Sequence, residues 1–297
     1  MTSPDSHPFA DSAADGTEHA LLRLEHGDIH VCQDGPRDAP ALLLLHGSAT
    51  SGRSWDALVP LLVPAHRVIR IDLPGHGRSS EPVGRGYATS EQARTLGAVL
   101  DRLRVGQVVA IGHSSGGCAA TALAEERPDL VTALALINTG PGMDAFIAPA
   151  SAPIDPARWP PSDEQIRRFA STGFREGYQV PRELIDELRG MSPHAITAAM
   201  QASIAYLNQR ALPARLAALG KPLRVIFGEQ DRRWRPSSAE DYRVVPGAEI
   251  DLLPGAGHTP ILEEPVRTAE LLLPFTKLHA TGTPRGATEP GPGPRER

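Results

Sequence analysis

The sequence predicts an α/β fold: a mostly parallel central sheet flanked by helices, with an inserted helical lid. Short apolar runs alternate with helical patterns from residue 41 onward, which is typical of β-α-β units. Each run is apolar at nearly every position, as expected of strands that helices cover on both faces. The alternation stops over residues 140–220, where helical patterns occur without a convincing strand. The strands predicted in the alternating region are residues 41–45, 68–71, 108–111, 134–137, 223–227 and 249–253.

Two further strands and four helices complete the predicted sheet domain. Residues 21–25 and 28–33 flank His26-Gly27 with alternating or clustered apolar residues, which favours an antiparallel hairpin at one edge of the sheet. Helical periodicity occupies the intervals between the later strands. The helices predicted there are residues 55–62, 90–103, 116–126 and 266–278.

The chain therefore divides into one domain with an insertion and two tails. The predicted core is residues 21–139 and 221–279, and residues 140–220 form the insertion, which we interpret as a cap or lid because it is too long for an ordinary loop. Residues 1–20 and 280–297 lack apolar periodicity and are predicted to be disordered tails. The helices predicted in the insertion are residues 163–174, 181–189, 195–209 and 214–219.

Composition narrows the classes of partner. A formal net charge of -5 argues against a nucleic-acid-binding surface, which needs clustered basic residues. The acidic, polar start does not resemble a secretion signal, and the apolar runs are too short to span a membrane. We expect a cytoplasmic protein with no membrane partner. The two cysteines, Cys32 and Cys118, are expected to be buried thiols without a disulfide or metal role.

A candidate nucleophile follows the strand at residues 108–111. Gly112-His113-Ser114-Ser115-Gly116 is a G-x-S-x-G motif, and a helix rich in small residues follows it. This strand-turn-helix context is that of a nucleophile elbow, where a strained turn exposes the serine hydroxyl at the carboxyl edge of a sheet. The alternative is a tight structural turn with a capping serine.

A serine hydroxyl needs a base and an orienting acid to become a good nucleophile near neutral pH. His258 lies in a glycine-rich loop after the strand at residues 249–253, and Asp231 follows the strand at residues 223–227. All three side chains are thus expected at one edge of the sheet. Their chain order of Ser, Asp and His is that of the α/β-fold triads.

These residues resemble the α/β-hydrolase family, its esterase- and lipase-like branch, over residues 21–278. Besides the elbow, the resemblance rests on Leu45-His46-Gly47-Ser48, on Asp72-Leu73-Pro74-Gly75-His76-Gly77-Arg78-Ser79, and on the segment around His258. The resemblance implies an oxyanion hole made by the backbone N–H groups of Ser48 and Ser115. Some members place the acid after the preceding strand, so Asp144 is a rival to Asp231.

Several conspicuous residues have less specific interpretations. His46 and His113 are candidate pocket residues, although a loop-organising role is favoured for both and for His76. Trp159 and Trp234 could line a pocket or pack under the insertion. Asp72 is interpreted as a turn-stabilising carboxylate. Arg232, Arg233 and Arg235 suggest an anionic substrate, but a solvated loop is the favoured interpretation.

The predicted chemistry is hydrolysis of a carboxylic ester, lactone or thioester of a small acyl substrate through an acyl-enzyme, without cofactor or metal. Alternatives are a carbon–carbon bond hydrolase, a biosynthetic cyclase or acyl-releasing enzyme on the same triad, and a non-catalytic ligand-binding protein. Ser48-Ala49-Thr50-Ser51 replaces the glycine-rich stretch of carbon–carbon hydrolases, which disfavours the first alternative. Dehalogenases and epoxide hydrolases of this fold carry aspartate where Ser114 stands, so both activities are disfavoured. The sequence gives no indication of oligomeric state.

Overall fold

The central element of the computed structural model is a nine-stranded sheet; the structure describes residues 11–12, 16–82, 84, 86–147 and 159–280. The strands are β1 (Asp11–Ser12), β2 (Glu18–Leu24), β3 (Gly27–Asp34), β4 (Ala41–Leu45), β5 (Arg67–Ile71), β6 (Val108–His113), β7 (Val131–Ile137), β8 (Leu223–Gly228) and β9 (Glu249–Leu253). Their order across the sheet is β1-β2-β3-β5-β4-β6-β7-β8-β9. The predicted α/β fold is confirmed.

The sheet changes from antiparallel to parallel at β5. β2 and β3 form the predicted hairpin, and β3 pairs antiparallel with β5. From β5 across to β9, every pair of neighbours is parallel. The carboxyl ends of β6, β8 and β9 therefore lie at the same edge, which is where an open α/β sheet places a binding site.

Helices cover both faces of this sheet. The α-helices of the described residues are α1 (Val59–Leu62), α2 (Thr89–Arg102), α3 (Ser115–Glu126), α4 (Asp163–Ser171), α5 (Arg182–Gly190), α6 (Pro193–Gln209), α7 (Leu212–Leu219), α8 (Pro260–Glu263) and α9 (Pro265–His279). Short 3₁₀ helices occupy Gly52–Trp55, Met143–Ala145 and Pro236–Val244. No helix within the described ranges is long and apolar enough to cross a membrane.

Alternation along the strands divides the core between the two faces. Leu43 and Leu45 of β4 pack in one apolar cluster with α2 and α3, whereas Leu42 and Leu44 pack in the other with α9. Successive side chains of a strand point to opposite faces, so a run of consecutive leucines serves both clusters. This double burial explains why the central strands read as continuous apolar runs.

Two predicted boundaries need correction. The segment predicted as one helix over residues 55–62 is a 3₁₀ turn followed by the single-turn α1, because Pro60 has no N–H to continue an earlier helix and instead sits in the first turn of α1. The tail predicted over residues 1–20 is too long, since β2 begins at Glu18 and is held by pairing with β3. The predicted tail after Ala280 lies outside the described residues.

The interval between β7 and β8 contains α4, α5, α6 and α7, in addition to the 3₁₀ turn Met143–Ala145. Apolar side chains of α4, α5 and α6 form a small core of their own, which also includes Ala49 from the loop after β4. The members of this core are Ala49, Ile166, Ile185, Leu188, Met191 and Ile196. The contact with Ala49 brings the insertion over the carboxyl edge of the sheet.

Candidate active site

Ser114 occupies the sharp turn between β6 and α3. Its φ of +53° lies in the left-handed region, which is costly for a residue with a side chain. The turn is tight enough that a Cβ on Gly112 would lie 2.5 Å from the backbone of Gly116, and one on Gly116 would lie 2.2 Å from the carbonyl oxygen of Leu45. The two glycines of the motif therefore allow the helix to approach the strands closely and present the serine at the sheet edge.

A chain of hydrogen bonds links Ser114 to His258 and Asp231. The Nε2 atom of His258 lies 3.0 Å from Ser114 Oγ, and its Nδ1 atom lies 2.9 Å from Asp231 Oδ2. The imidazole is 1% exposed and the carboxylate is fully buried, so the pair is shielded from water. The Nδ1–H group of His258 donates to the Asp231 carboxylate, which leaves Nε2 of the same ring free to accept the serine proton.

Asp231 is held in place by further donors. Its Oδ1 accepts the backbone N–H groups of Arg233 at 2.7 Å and Trp234 at 3.1 Å, and Asn138 Nδ2 donates to Oδ2 at 2.7 Å. Burial alone would raise the pKa of Asp231, but His258 and these hydrogen bonds outweigh it and hold the pKa below the usual value. Asp231 is therefore an anion with every strong acceptor direction occupied.

Asn138 is a site residue that the sequence analysis missed. It follows β7 with a φ of +46°, and its amide links three segments. The Nδ2 group donates to Asp231 and to the Gly257 carbonyl at 3.2 Å, and Oδ1 accepts the Gly228 N–H at 3.2 Å. The signal was a polar residue directly after a buried strand, at the same edge as the nucleophile.

Glu263 is a second missed residue, and it fixes the loop that carries His258. Its side chain is fully buried, and its oxygens accept the backbone N–H groups of Gly257 at 3.0 Å and Thr259 at 2.9 Å, on either side of the histidine. It also accepts the Arg175 N–H of the insertion at 2.9 Å. Glu263 thus fastens the His258 loop and the insertion to each other.

Ser48 and Ser115 lie beside the nucleophile, and their hydroxyl oxygens are 2.9 Å apart. Within the described residues, no hydrogen bond engages the backbone N–H of either serine. Ser115 is the first residue of α3, where N–H groups lack intrahelical partners and the helix dipole favours negative charge. Both serines thus line the main cavity with Ser114, and their N–H groups are unengaged among the described residues.

Ser114 lies between two cavities. The main cavity has a volume of about 280 Å³ and the small one about 40 Å³, and both are also lined by Ser48, Phe169 and Arg233. His258 and His113 line the small cavity, and Ser115 lines the main one. The apolar side chains of the main cavity are Ala49, Met143, Phe146, Ile147, Phe169, Met200, Ile204, Leu207 and Trp234.

Of the four candidate pocket residues, His113 and Trp234 line a cavity, whereas His46 and Trp159 line neither of the two. His46 is fully buried and connects two loops. Its Nδ1 donates to the Gly47 carbonyl at 2.8 Å, and its Nε2 accepts the Leu73 N–H at 2.9 Å. Trp159 instead packs against the small apolar core of the insertion.

Two buried histidines near the site are held neutral. Burial, reinforced by the neighbouring His76, lowers the pKa of His46 to about 4. Burial, reinforced by His258, lowers the pKa of His113 to about 3. His113 Nε2 donates to the His258 carbonyl oxygen at 2.8 Å, so it supports the backbone of the candidate base.

The two rival carboxylates lie elsewhere. Asp72 accepts the N–H groups of Gly52 at 2.7 Å and Arg78 at 2.9 Å, which matches the predicted turn-stabilising position. Asp144 is exposed in the 3₁₀ turn after β7 and makes no contact with His258 within the described chain. Asp231 is the carboxylate that the structure brings to the histidine.

One cluster outside the site has ligand types suited to a metal. The side-chain nitrogen and sulfur atoms of His19, His30 and Cys32 lie within 4.8 Å of one another on β2 and β3. Burial raises the pKa of Cys32 to about 12, so the group is a thiol, and its contacts with the imidazoles are hydrogen bonds. The cluster is remote from Ser114 in the sheet order.

A family model described as the alpha/beta hydrolase family matches residues 42–271. The chain is 29% identical over 258 residues to a pimeloyl-[acyl-carrier protein] methyl ester esterase of Nitrosomonas europaea, covering 80% of this chain and 95% of that protein.

Two further similarities cover most of the chain. It is 26% identical over 228 residues to a 2-hydroxy-6-oxononadienedioate/2-hydroxy-6-oxononatrienedioate hydrolase of Cupriavidus pinatubonensis, covering 71% of this chain and 78% of that protein. The solved structure of a hydrolase from Pseudomonas aeruginosa PA01 superposes with a TM-score of 0.72 at 27% identity, covering 86% of this chain and 97% of that one.

Proposed function

The chain belongs to the alpha/beta hydrolase family, and we propose that it is a serine hydrolase that cleaves a carboxylic ester, lactone or thioester of a small molecule. The observation that carries this proposal is the hydrogen-bonded series from Ser114 Oγ through His258 to Asp231, with distances of 3.0 and 2.9 Å. A nucleophile, a base and an orienting acid in this order make up the minimal machinery for acyl transfer.

In the first half of the reaction, His258 Nε2 takes the Ser114 proton while the serine oxygen attacks the substrate carbonyl. Asp231 stabilises the imidazolium that forms and stays ionised, consistent with its lowered pKa. The protonated histidine then gives its proton to the leaving group as the tetrahedral intermediate collapses. An acyl-enzyme on Ser114 remains.

In the second half, His258 takes a proton from water, and the resulting nucleophile attacks the acyl-enzyme carbonyl. Collapse of this intermediate returns the proton to Ser114 and releases the carboxylic acid. In both halves negative charge develops on the carbonyl oxygen. We assign the stabilisation of this oxyanion to the backbone N–H groups of Ser48 and Ser115. Loss of one such donor typically costs about 3 kcal/mol of transition-state stabilisation.

The relative from Nitrosomonas europaea favours ester cleavage, because its name describes a methyl ester esterase. The relative from Cupriavidus pinatubonensis favours a second candidate, carbon–carbon bond hydrolysis, because the oxo dienedioate in its name contains no ester to cleave. The largely apolar main cavity suits the acyl chain of either substrate. We favour the ester, lactone or thioester because Ser48-Ala49-Thr50-Ser51 stands where carbon–carbon hydrolases carry a glycine-rich stretch.

Hydrolysis of p-nitrophenyl acetate and butyrate by the wild type and by Ser114→Ala tests the proposal, together with intact-mass labelling by a fluorophosphonate. We expect turnover and a single adduct in the wild type, with both lost in Ser114→Ala. The control is Ser237→Ala, which removes an exposed hydroxyl and should retain both. Labelling that survives in Ser114→Ala would refute Ser114 as the nucleophile.

Ester turnover separates the two candidates once labelling has succeeded. An ester hydrolase releases p-nitrophenol in many turnovers. Clean labelling of Ser114 with no turnover of the p-nitrophenyl esters would instead leave a lactone, a thioester or a carbon–carbon bond as the substrate. The absence of both labelling and turnover would favour the ligand-binding alternative, in which the hydrolase fold binds a small molecule without cleaving it.

A further inference from the structure

The arginine and acidic side chains that line the two cavities at Ser114 are all arginines. Arg232 and Arg233 line the main cavity, Arg233 also lines the small one, and no aspartate or glutamate among the described residues lines either. The rest of the main cavity is apolar or carries hydroxyl groups. A substrate bound there meets fixed positive charge beside an apolar surface.

Arg233 is the more confined of the two arginines. Arg232 is exposed, whereas Arg233 is partly buried beneath the end of α4. The Cζ atom of Arg233 lies 5.8 Å from the centre of the Phe169 ring, and its Nε makes a long contact of 3.4 Å with Thr172 Oγ1. The guanidinium is thus held between the core and the insertion, next to the carbonyl end of a helix, which favours a cation.

The guanidinium nevertheless forms no ion pair among the described residues, although the charge of Asp231 acts on it. No carboxylate oxygen of the described residues lies within ion-pair distance of Arg233, although most of the other arginines with restricted exposure have one. Asp231 is near in sequence, but its oxygens already accept from His258, Asn138 and two backbone N–H groups. A guanidinium offers five N–H donors in a planar fork that matches a carboxylate.

We propose that Arg233 is the anion-binding residue of the active site and that the substrate is an ester or thioester whose acyl chain ends in a carboxylate. The inference rests on the proposed function, because it places the carboxylate in the same cavity as the carbonyl attacked by Ser114. Ser114 and Arg233 both line both cavities, so the attacked carbonyl and the terminal carboxylate of one acyl chain would lie in the same cavity. The apolar wall between them suits its methylene groups.

Two esters of equal chain length test this proposal: p-nitrophenyl hexanoate, which is neutral, and mono-p-nitrophenyl adipate, which carries one terminal carboxylate. Arg233→Met keeps an unbranched apolar side chain and removes the charge and the guanidinium donors. We expect it to lower kcat/KM for the adipate ester about 10- to 100-fold, mostly through KM, and to change the hexanoate value by less than about threefold. Arg233→Lys should lose less, because it keeps the charge without the fork.

The matched control is Arg235→Met, which removes an exposed arginine from the same loop outside both cavities. It should leave the ratio of the two kcat/KM values at that of the wild type. Equal losses on both esters in Arg233→Met would overturn the proposal and assign Arg233 a structural role in the Asp231 loop. Wild-type kcat/KM values for both esters in Arg233→Met would overturn it as well.

Binding to Ser114→Ala separates this inference from the proposed function. Calorimetry with monomethyl adipate and methyl hexanoate measures recognition without turnover. Preferential binding of monomethyl adipate that is lost in Ser114→Ala/Arg233→Met supports the anion subsite even if the wild type hydrolyses neither ester. Equal binding of the two ligands would overturn the anion subsite even if both esters are cleaved.

Discussion

Asp231 is held by four hydrogen bonds, and its charge faces His258. In Asp231→Asn, the amide presents an NH₂ group or a neutral oxygen to His258 and no longer stabilises the imidazolium. The amide also favours the wrong imidazole tautomer, so we expect kcat for p-nitrophenyl butyrate to fall by about 10³- to 10⁴-fold, with little change in fold. Steady-state kinetics and circular dichroism of the purified variant measure both effects.

Asp144→Asn is the matched control, because Asp144 is the other acid that the sequence allowed. Its carboxylate is exposed in the 3₁₀ turn after β7, so the variant should keep kcat near the wild-type value. A large loss in Asp144→Asn with a small one in Asp231→Asn would reverse the assignment of the acid.

The buried histidines predict how stability depends on pH. The pKa values of His46 and His113 are about 4 and about 3 in the folded protein, against an ordinary value of 6.5. Below pH 6.5 the unfolded chain binds protons that the native state excludes, so the free energy of unfolding falls as pH falls. Each histidine contributes a slope of up to about 1.4 kcal/mol per pH unit between its unfolded and folded pKa values.

Urea unfolding at pH 6 and pH 5 measures this slope. His46→Gln removes one of these contributions, so its unfolding free energy should fall less steeply between these pH values than that of the wild type. His26→Gln, at an exposed position in the hairpin, should leave the slope unchanged. A wild-type slope retained in His46→Gln would contradict the assignment of His46 as a buried neutral imidazole.

The site residues that could be predicted lie in local sequence motifs, whereas those that were missed act through contacts between distant segments. Ser114, His258 and Asp231 each follow a strand within a recognisable local motif, so their meeting at one edge follows from parallel strands. Asn138 and Glu263 act through backbone N–H groups of distant segments. Their partners depend on three-dimensional packing, which no local spacing specifies.

At the scale of elements, the loop between β9 and α8 depends on Glu263. In Glu263→Gln, an NH₂ group replaces an acceptor that faces N–H donors at Gly257, Thr259 and Arg175, so at least one buried donor loses its partner. We expect a loss of about 1–3 kcal/mol in the free energy of unfolding, and a lower kcat because His258 is less well positioned. Chemical denaturation and steady-state kinetics test the two effects.

Glu264→Gln provides the comparison on the adjacent residue. The Glu264 side chain is 29% exposed and pairs with Arg175 at 3.4 Å, an arrangement that is screened by water. Its loss should cost well under about 1 kcal/mol and leave kcat near the wild-type value. Similar losses in both variants would show that the loop does not depend on Glu263.

The strands were predictable as elements and the short turns were not. β4 begins and ends at the predicted residues, because a buried strand reads as an apolar run with clear ends. The edge strand β9 also has the predicted bounds, although Leu253 is its one buried residue. Short segments have too few residues to show a clear apolar periodicity in the sequence. Examples are the 3₁₀ turn and α1 within residues 52–62, and the 3₁₀ helix Pro236–Val244. Such segments are decided by packing and capping more than by pattern.

At the scale of the whole molecule, the insertion and the sheet domain build the main cavity together. Phe169 of α4 and Met200, Ser203, Ile204 and Leu207 of α6 line it opposite the serines of the sheet edge. Sequence analysis found the helices of the insertion, but the size of the cavity depends on how far these helices stand from the sheet. Chain-length preference is therefore a property of the assembled molecule.

The cavity volume of about 280 Å³ predicts that preference. A group the size of a water molecule occupies about 30 Å³, so the cavity holds roughly nine such groups, and kcat/KM for p-nitrophenyl esters should peak at acyl chains of about six to eight carbons. Ser203→Phe places a ring in the cavity and should move the optimum to about four carbons or fewer, because the longer chains lose their space. Ala205→Phe adds the same ring at an exposed position of α6 and should leave the optimum where it is. An optimum that stays unchanged in Ser203→Phe would mean that the acyl chain does not occupy the cavity between the insertion and the sheet.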